Sequence, residues 1–127
     1  MKHHTLGDLQ YAIMKVLWDR EEASAAAVHE ALDEERGLAP TTIATMLRKM
    51  EDKGVVTHKT EGRQFLYRAT VTEKQVRRSM VSELVSRLFA GDARELVAHL
   101  VTEREIDPVE LEELRRRFAV ERRRPRS

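Results

Sequence analysis

Between residues 40 and 53, three threonines and two cations recur at spacings that place them on one side of a helix. If a helix opens at Pro40, then Ile43, Met46, Leu47 and Met50 take its inner face, leaving Thr41, Thr42, Thr45, Arg48, Lys49 and Asp52 outside. Threonine is a poor helix former, so several on an exposed side need a reason. Its hydroxyl donates or accepts at base edges, its methyl packs on thymine, and a lysine reaches guanine acceptors or a phosphate. Taken alone, this face also fits threonines that cap or solvate an ordinary surface helix. Lys59, Gly62 and Arg63 shift the balance, because they form a basic tip immediately downstream. Other chemistries find little support. Glu21-Glu22 and Glu112-Glu113 are adjacent on solvated helical ends or faces, and no glycine-rich phosphate loop or nucleophile–histidine–acid set stands out, so an enzyme is not expected. Cysteine is absent, which removes thiolate ligands, disulfides and cysteine nucleophiles. His3, His4, His29, His58 and His99 are too scattered to define a metal site, so neither a metal nor another cofactor is expected. His58 is expected to face solvent or phosphate, and His29 the surface of its helix.

Local signals divide the chain into elements that can hold these residues. Leu9, Ala12, Ile13, Val16 and Leu17 predict a first helix from about Asp8 to Asp19. Ser24 is a fitting N-cap for a second, with Ala27, Val28, Ala31 and Leu32 inward and Gly37 at its end. Pro40 suits the first turn of the third, and Gly54 closes it. The period then changes. Val55–Thr60 and Arg63–Ala69 read as two strands joined by a tight turn at Glu61-Gly62, with Phe65 and Tyr67 on one face and Gln64, Leu66 and Arg68 on the other. Three further helices are announced by Thr72 with Gln75, Asp92 with Glu95, and Asp107 with Glu110, the last followed by Pro108. Their apolar stripes include Met80, Leu84 and Leu88, then Leu96 and Leu100, then Leu111 and Leu114. Helices this short are marginal without packing partners, and a second copy of the chain is the economical partner. These leucines and Met80 are therefore the candidate dimerisation residues.

The expected fold is mostly α with a small β-hairpin wing. Residues 1–70 would form a winged helix-turn-helix domain, 71–120 a three-helix dimerisation region, and 121–127 a basic, disordered tail. A winged helix lays its third helix in the major groove and reaches for phosphates with the hairpin. Charge supports that division. Residues 1–40 carry 4 basic and 8 acidic side chains, a net of −4, whereas 41–70 carry 6 basic and 3 acidic, a net of +3. The formal total of +1 therefore conceals a basic middle segment, and phosphate binding responds to the local field. The tail adds Arg122, Arg123, Arg124 and Arg126. With 35% charged and 5% aromatic residues, the composition is that of a helix-rich soluble protein. No apolar run is long enough to span a membrane, and the opening Met1–Thr5 has no secretory apolar stretch, so a cytoplasmic protein is expected.

Three stretches carry a specific resemblance: Ile13–Trp18 (IMKVLW), Pro40–Leu47 (PTTIATML), and Lys53-Gly54 followed by Glu61–Tyr67 (EGRQFLY). Together they resemble the penicillinase-repressor family of winged-helix regulators, which includes the methicillin-resistance repressors, over about Leu6 to Phe118. The resemblance implies a homodimer that binds a palindromic operator in double-stranded DNA, in promoters of β-lactamase or related stress-response genes. It implies base contacts from Thr42, Thr45 and Lys49, where arginine is more usual at the last. It implies a backbone contact from Arg63, with Thr41, Arg48 and Lys59 as further backbone candidates, and a core-packing role for Trp18. In family members a membrane sensor protease leads to cleavage of an Asn-Phe bond, and the matching pair here is His99-Leu100. Some relatives sense copper through C-terminal cysteines, which this chain lacks. A sensor protease or another inducer is thus an expected partner, with the signal left open. The competing readings are a winged-helix module that docks another protein and a metal-responsive repressor that uses its histidines.

Overall fold

Apolar residues three and four apart bury one side of each N-terminal helix, and short polar or glycine punctuation ends each of them. The computed structural model describes residues 5–123, the side chains of residues 34, 35 and 121–123 excepted. His3, His4 and the arginines at 124 and 126 lie outside the described residues. In chain order the elements are α1 (Asp8–Arg20), β1 (Ala23–Ser24), α2 (Ala25–Arg36), α3 (Pro40–Lys53), β2 (Val56–Glu61), β3 (Gln64–Ala69), α4 (Glu73–Phe89), α5 (Ala93–Thr102) and α6 (Pro108–Arg123). The chain divides into two compact units, and the boundary falls between Glu83 and Leu84, inside α4.

In the first unit Ile13, Met14 and Leu17 of α1, Val28 of α2, Ile43, Leu47 and Met50 of α3, and Val55, Val56, Tyr67 and Val76 make one buried cluster. Met14, absent from the expected stripe, is fully buried beside Ile13. Trp18 packs on this cluster and donates its indole N–H to the Val71 carbonyl at 2.9 Å, its ring set edge-on to Tyr11. Thr5 joins two distant elements, donating to the Glu83 carboxylate and accepting at its carbonyl from Lys53.

The sheet has three antiparallel strands in the order β1-β3-β2, not the two of a bare hairpin. Ala23 and Ser24 pair with Tyr67 and Leu66. A strand of two residues is too short to carry a periodic signal, so β1 is not legible in the sequence. The turn also moves by one residue. Glu61 pairs with Gln64, so Gly62 and Arg63 are its central residues, and Gly62 alone takes a positive φ, +64°. A glycine at the first central position is what a type II′ turn requires.

Capping follows the sequence closely. Ser24 Oγ accepts from Ala27 N at 3.1 Å, and Thr72 with Gln75 and Asp107 with Glu110 close reciprocal boxes. Asp92 instead accepts from Arg94, through both its backbone N–H and its guanidinium. α6 continues to Arg123, three residues into the segment 121–127 that was expected to be a disordered tail. In the second unit Val85 is buried, and Phe89, Leu96, Leu100, Ile106, Leu111 and Leu114 are half-buried. Leu84, Leu88, Val97, Val109, Phe118 and Val120 are exposed. Among the described residues no helix is long and apolar enough to cross a membrane.

Candidate nucleic-acid interface

Helix α3 is held at both ends before any side chain faces outward. Gly37 stops α2 in the left-handed region, its N–H bonded to Asp33 O at 2.9 Å. His29 Nε2 lies 2.6 Å from the Leu38 carbonyl, fixing the loop between the helices. His29 is therefore half-buried and structural, not simply a surface residue. Pro40 occupies the first turn, where its missing N–H costs no intrahelical bond. At the other end Gly54 adopts φ +88°, Thr70 Oγ1 donates to its carbonyl at 2.6 Å, and Thr70 N donates to Val55 O at 2.9 Å. These bonds fasten the base of the wing to the end of α3.

With Ile43, Leu47 and Met50 fully buried, the rotation of α3 about its axis is fixed. Thr41, Thr45, Arg48, Lys49 and Asp52 are exposed, and Thr42 is half-buried with its backbone N–H bonded to Ala39 O. Arg48 and Lys49 make no ion pair among the described residues. Met46, assigned to the inner face, is half-buried and takes a hydrogen bond at Sδ from Gln10 Nε2 at 3.3 Å.

The two wing cations differ. Arg63 is exposed at the turn and unpaired among the described residues, whereas Lys59 Nζ lies 3.4 Å from Glu22 and 4.0 Å from Glu61. His58 departs from the expectation that it faces solvent or phosphate. Its Nδ1 sits 2.7–2.8 Å from both carboxylate oxygens of Glu51 on α3, and its ring stacks on Phe65 at 4.1 Å. The physical reason is register: His58 pairs with Tyr67, which turns both rings to the face that α3 covers. Tyr67 is buried there. Burial first, and then the nearby Glu51 carboxylate, push its phenol above the ordinary value, with Arg48 pulling the other way. Period-two spacing of His58 with Thr60, and of Phe65 with Tyr67, carried part of this signal, but the partner on α3 did not show in it.

The remaining candidates are spread over the later helices. Met80 packs on the core of the first unit within its own chain. Leu84 and Leu88 are 41% and 71% exposed, whereas Leu96, Leu100, Leu111 and Leu114 are half-buried. His99-Leu100 lies inside α5, with His99 exposed beside the Phe89 ring at 5.7 Å. Among the described residues no three His, Asp or Glu side chains gather as a metal-binding group.

The penicillinase repressor family model matches residues 6–119. The chain belongs to the penicillinase repressor family. This is a family of DNA-binding transcriptional repressors with a winged-helix domain, not of enzymes. The methicillin resistance regulatory protein MecI of Mammaliicoccus sciuri is 25% identical over 114 residues, 90% of this chain and 93% of that protein. The transcriptional regulator BlaI of Mycobacterium tuberculosis (strain CDC 1551 / Oshkosh) is 34% identical over 98 residues, 76% of this chain and 71% of that one. Among solved structures, the DNA-binding domain of the repressor BlaI superposes with a TM-score of 0.53 at 31% identity, covering 58% of this chain and 90% of that domain.

Proposed function

We propose that this penicillinase-repressor family member is a homodimeric transcriptional repressor that binds a palindromic operator in promoters of β-lactamase-type or related stress-response genes. The observation that carries the reading is the outward face of α3, where Thr45, Arg48 and Lys49 are exposed while the opposite side is locked into the core. Thr42, Thr45 and Lys49 read base edges in the major groove, and Thr41, Arg48 and Arg63 hold the phosphate backbone, while Lys59, expected among them, is paired with Glu22 and Glu61 and adds only to the local field. Residues 1–70 form the DNA-binding part and 71–120 the dimerisation part. Leu84, Leu88, Leu96, Leu100, Leu111 and Leu114 supply its apolar surface, whereas Met80, expected among them, packs on the core of its own chain's first unit. Exposed Leu84, Leu88, Val109 and Phe118 support this, because large apolar side chains left on helix surfaces are best covered by a second copy.

Genome-wide recovery of DNA fragments bound by the full chain tests the proposal. The expected result is a small set of promoter fragments sharing an inverted repeat, bound by a species that sediments as a dimer. Recovery of fragments without a common motif, or a monomer on DNA, would overturn it.

A further inference from the structure

Four side chains outside the proposed DNA-contacting set meet between α3 and the wing. Glu51 comes from α3, His58 from β2, and Phe65 and Tyr67 from β3. The carboxylate has no proton to give, so the His58 Nδ1–H donates to Glu51, a charge-assisted bond at 2.7–2.8 Å. Both side chains are about 30% exposed (28% for His58, 30% for Glu51), so the pair is shielded more than a surface ion pair. Phe65 covers one side of the imidazole with an interplanar angle of 21°, and the Tyr67 ring lies 5.4 Å away.

The position of this bond in the sheet gives it leverage. Among the described residues β3 is flanked by β1 and β2, and β2 pairs with β3 alone. The base of the wing is tied to Gly54 and Val55, while its tip carries Arg63. From His58 to Gly62 the chain runs four residues, roughly 13 Å of extended strand. A tilt of about 10° at His58 would move the tip by roughly 2 Å, more than a hydrogen bond tolerates. On the opposite face of β2 the exposed Lys59 pairs with Glu22.

We propose that Glu51 and His58 are positioning residues that set the angle of the wing against α3, and with it the distance from the base-reading threonines to Arg63. This rests on the DNA-binding reading above. It predicts a sign that simple electrostatics does not. Glu51 is an anion on the helix that approaches phosphates, so deleting it should tighten binding to any DNA if charge alone mattered. Loss of the brace instead weakens the operator complex, where α3 and the wing must engage together.

The test uses the full chain with Glu51→Ala, which removes both charge and acceptor, and Glu51→Gln, which keeps an acceptor for His58. Residual dipolar couplings of the backbone amides in DNA-free protein read the wing angle. Glu51→Ala should reduce or shift the couplings of β2 and β3 near the tip while those of α3 stay, and Glu51→Gln should restore them. On an operator fragment recovered from the genome, Glu51→Ala should lower affinity by about tenfold or more, with random duplex affinity unchanged or raised. His58→Gln gives the same readouts should the Glu51→Ala chain fail to fold. Unchanged wing couplings, or operator and random affinities moving together, would overturn the proposal. A wild-type chain that binds no DNA would sink the DNA-binding reading alone, since the couplings still report the brace.

Discussion

Arg63 and Lys59 are both wing cations; among the described residues Arg63 makes no ion pair whereas Lys59 does, and the dependence of binding on salt separates them. Deleting a cation that neutralises one phosphate of B-DNA lowers the slope of log affinity against log salt by about 0.9. With one such neutralised phosphate per protomer, Arg63→Ala in a dimer should lower the slope by about 1.8. Between about 50 and 200 mM salt, the affinity penalty of the substitution should then shrink roughly twelvefold. Lys59 is already 3.4 Å from Glu22 and 4.0 Å from Glu61. Its removal leaves two carboxylates uncompensated and weakens the local field without removing a dedicated phosphate partner. Lys59→Ala should therefore lower affinity at low salt with a slope change well under that of Arg63→Ala. Fluorescence anisotropy on a random duplex suffices, because binding to phosphates carries no sequence information. An unchanged slope for Arg63→Ala, or equal slope changes for the two variants, would refute the assignment of Arg63 to the backbone.

Thr45→Ala should cost about 1–3 kcal/mol per half-site on the operator while barely changing random-duplex binding, and equal losses on both would remove Thr45 from base reading. Leu84→Asp combined with Leu88→Asp should give monomers in sedimentation at little cost to the protomer, as both side chains are exposed in the single chain. A dimer that persists places the interface elsewhere. In a Tyr11→Phe chain, Tyr67 is the remaining tyrosine, and its absorbance should titrate above the ordinary 10.0. Because the folded phenol holds its proton longer than the unfolded one, the stability it contributes is full below that ordinary value and is lost as pH rises through the raised one. Titration at or below the ordinary value would contradict its burial between β3 and α3.

Features that depend on neighbours in the chain are legible in the residues themselves. Ser24, Gly37, Pro40 and Gly54 bound the helices where their side-chain and backbone preferences require, and the reciprocal caps at Thr72 and Asp107 form as their spacing predicts. The outward face of α3 was legible for the same reason, since a helical period fixes which residues share a side. Other features depend on which distant segments meet in the fold. Ala23-Ser24 becomes a strand through β3, more than forty residues on. Met80 turns out to lie on the core of its own chain's first unit. Lys59 is drawn to Glu22. His58 leaves solvent for Glu51 because strand register puts it on the face that α3 covers, and register is a relation between strands that no local period contains.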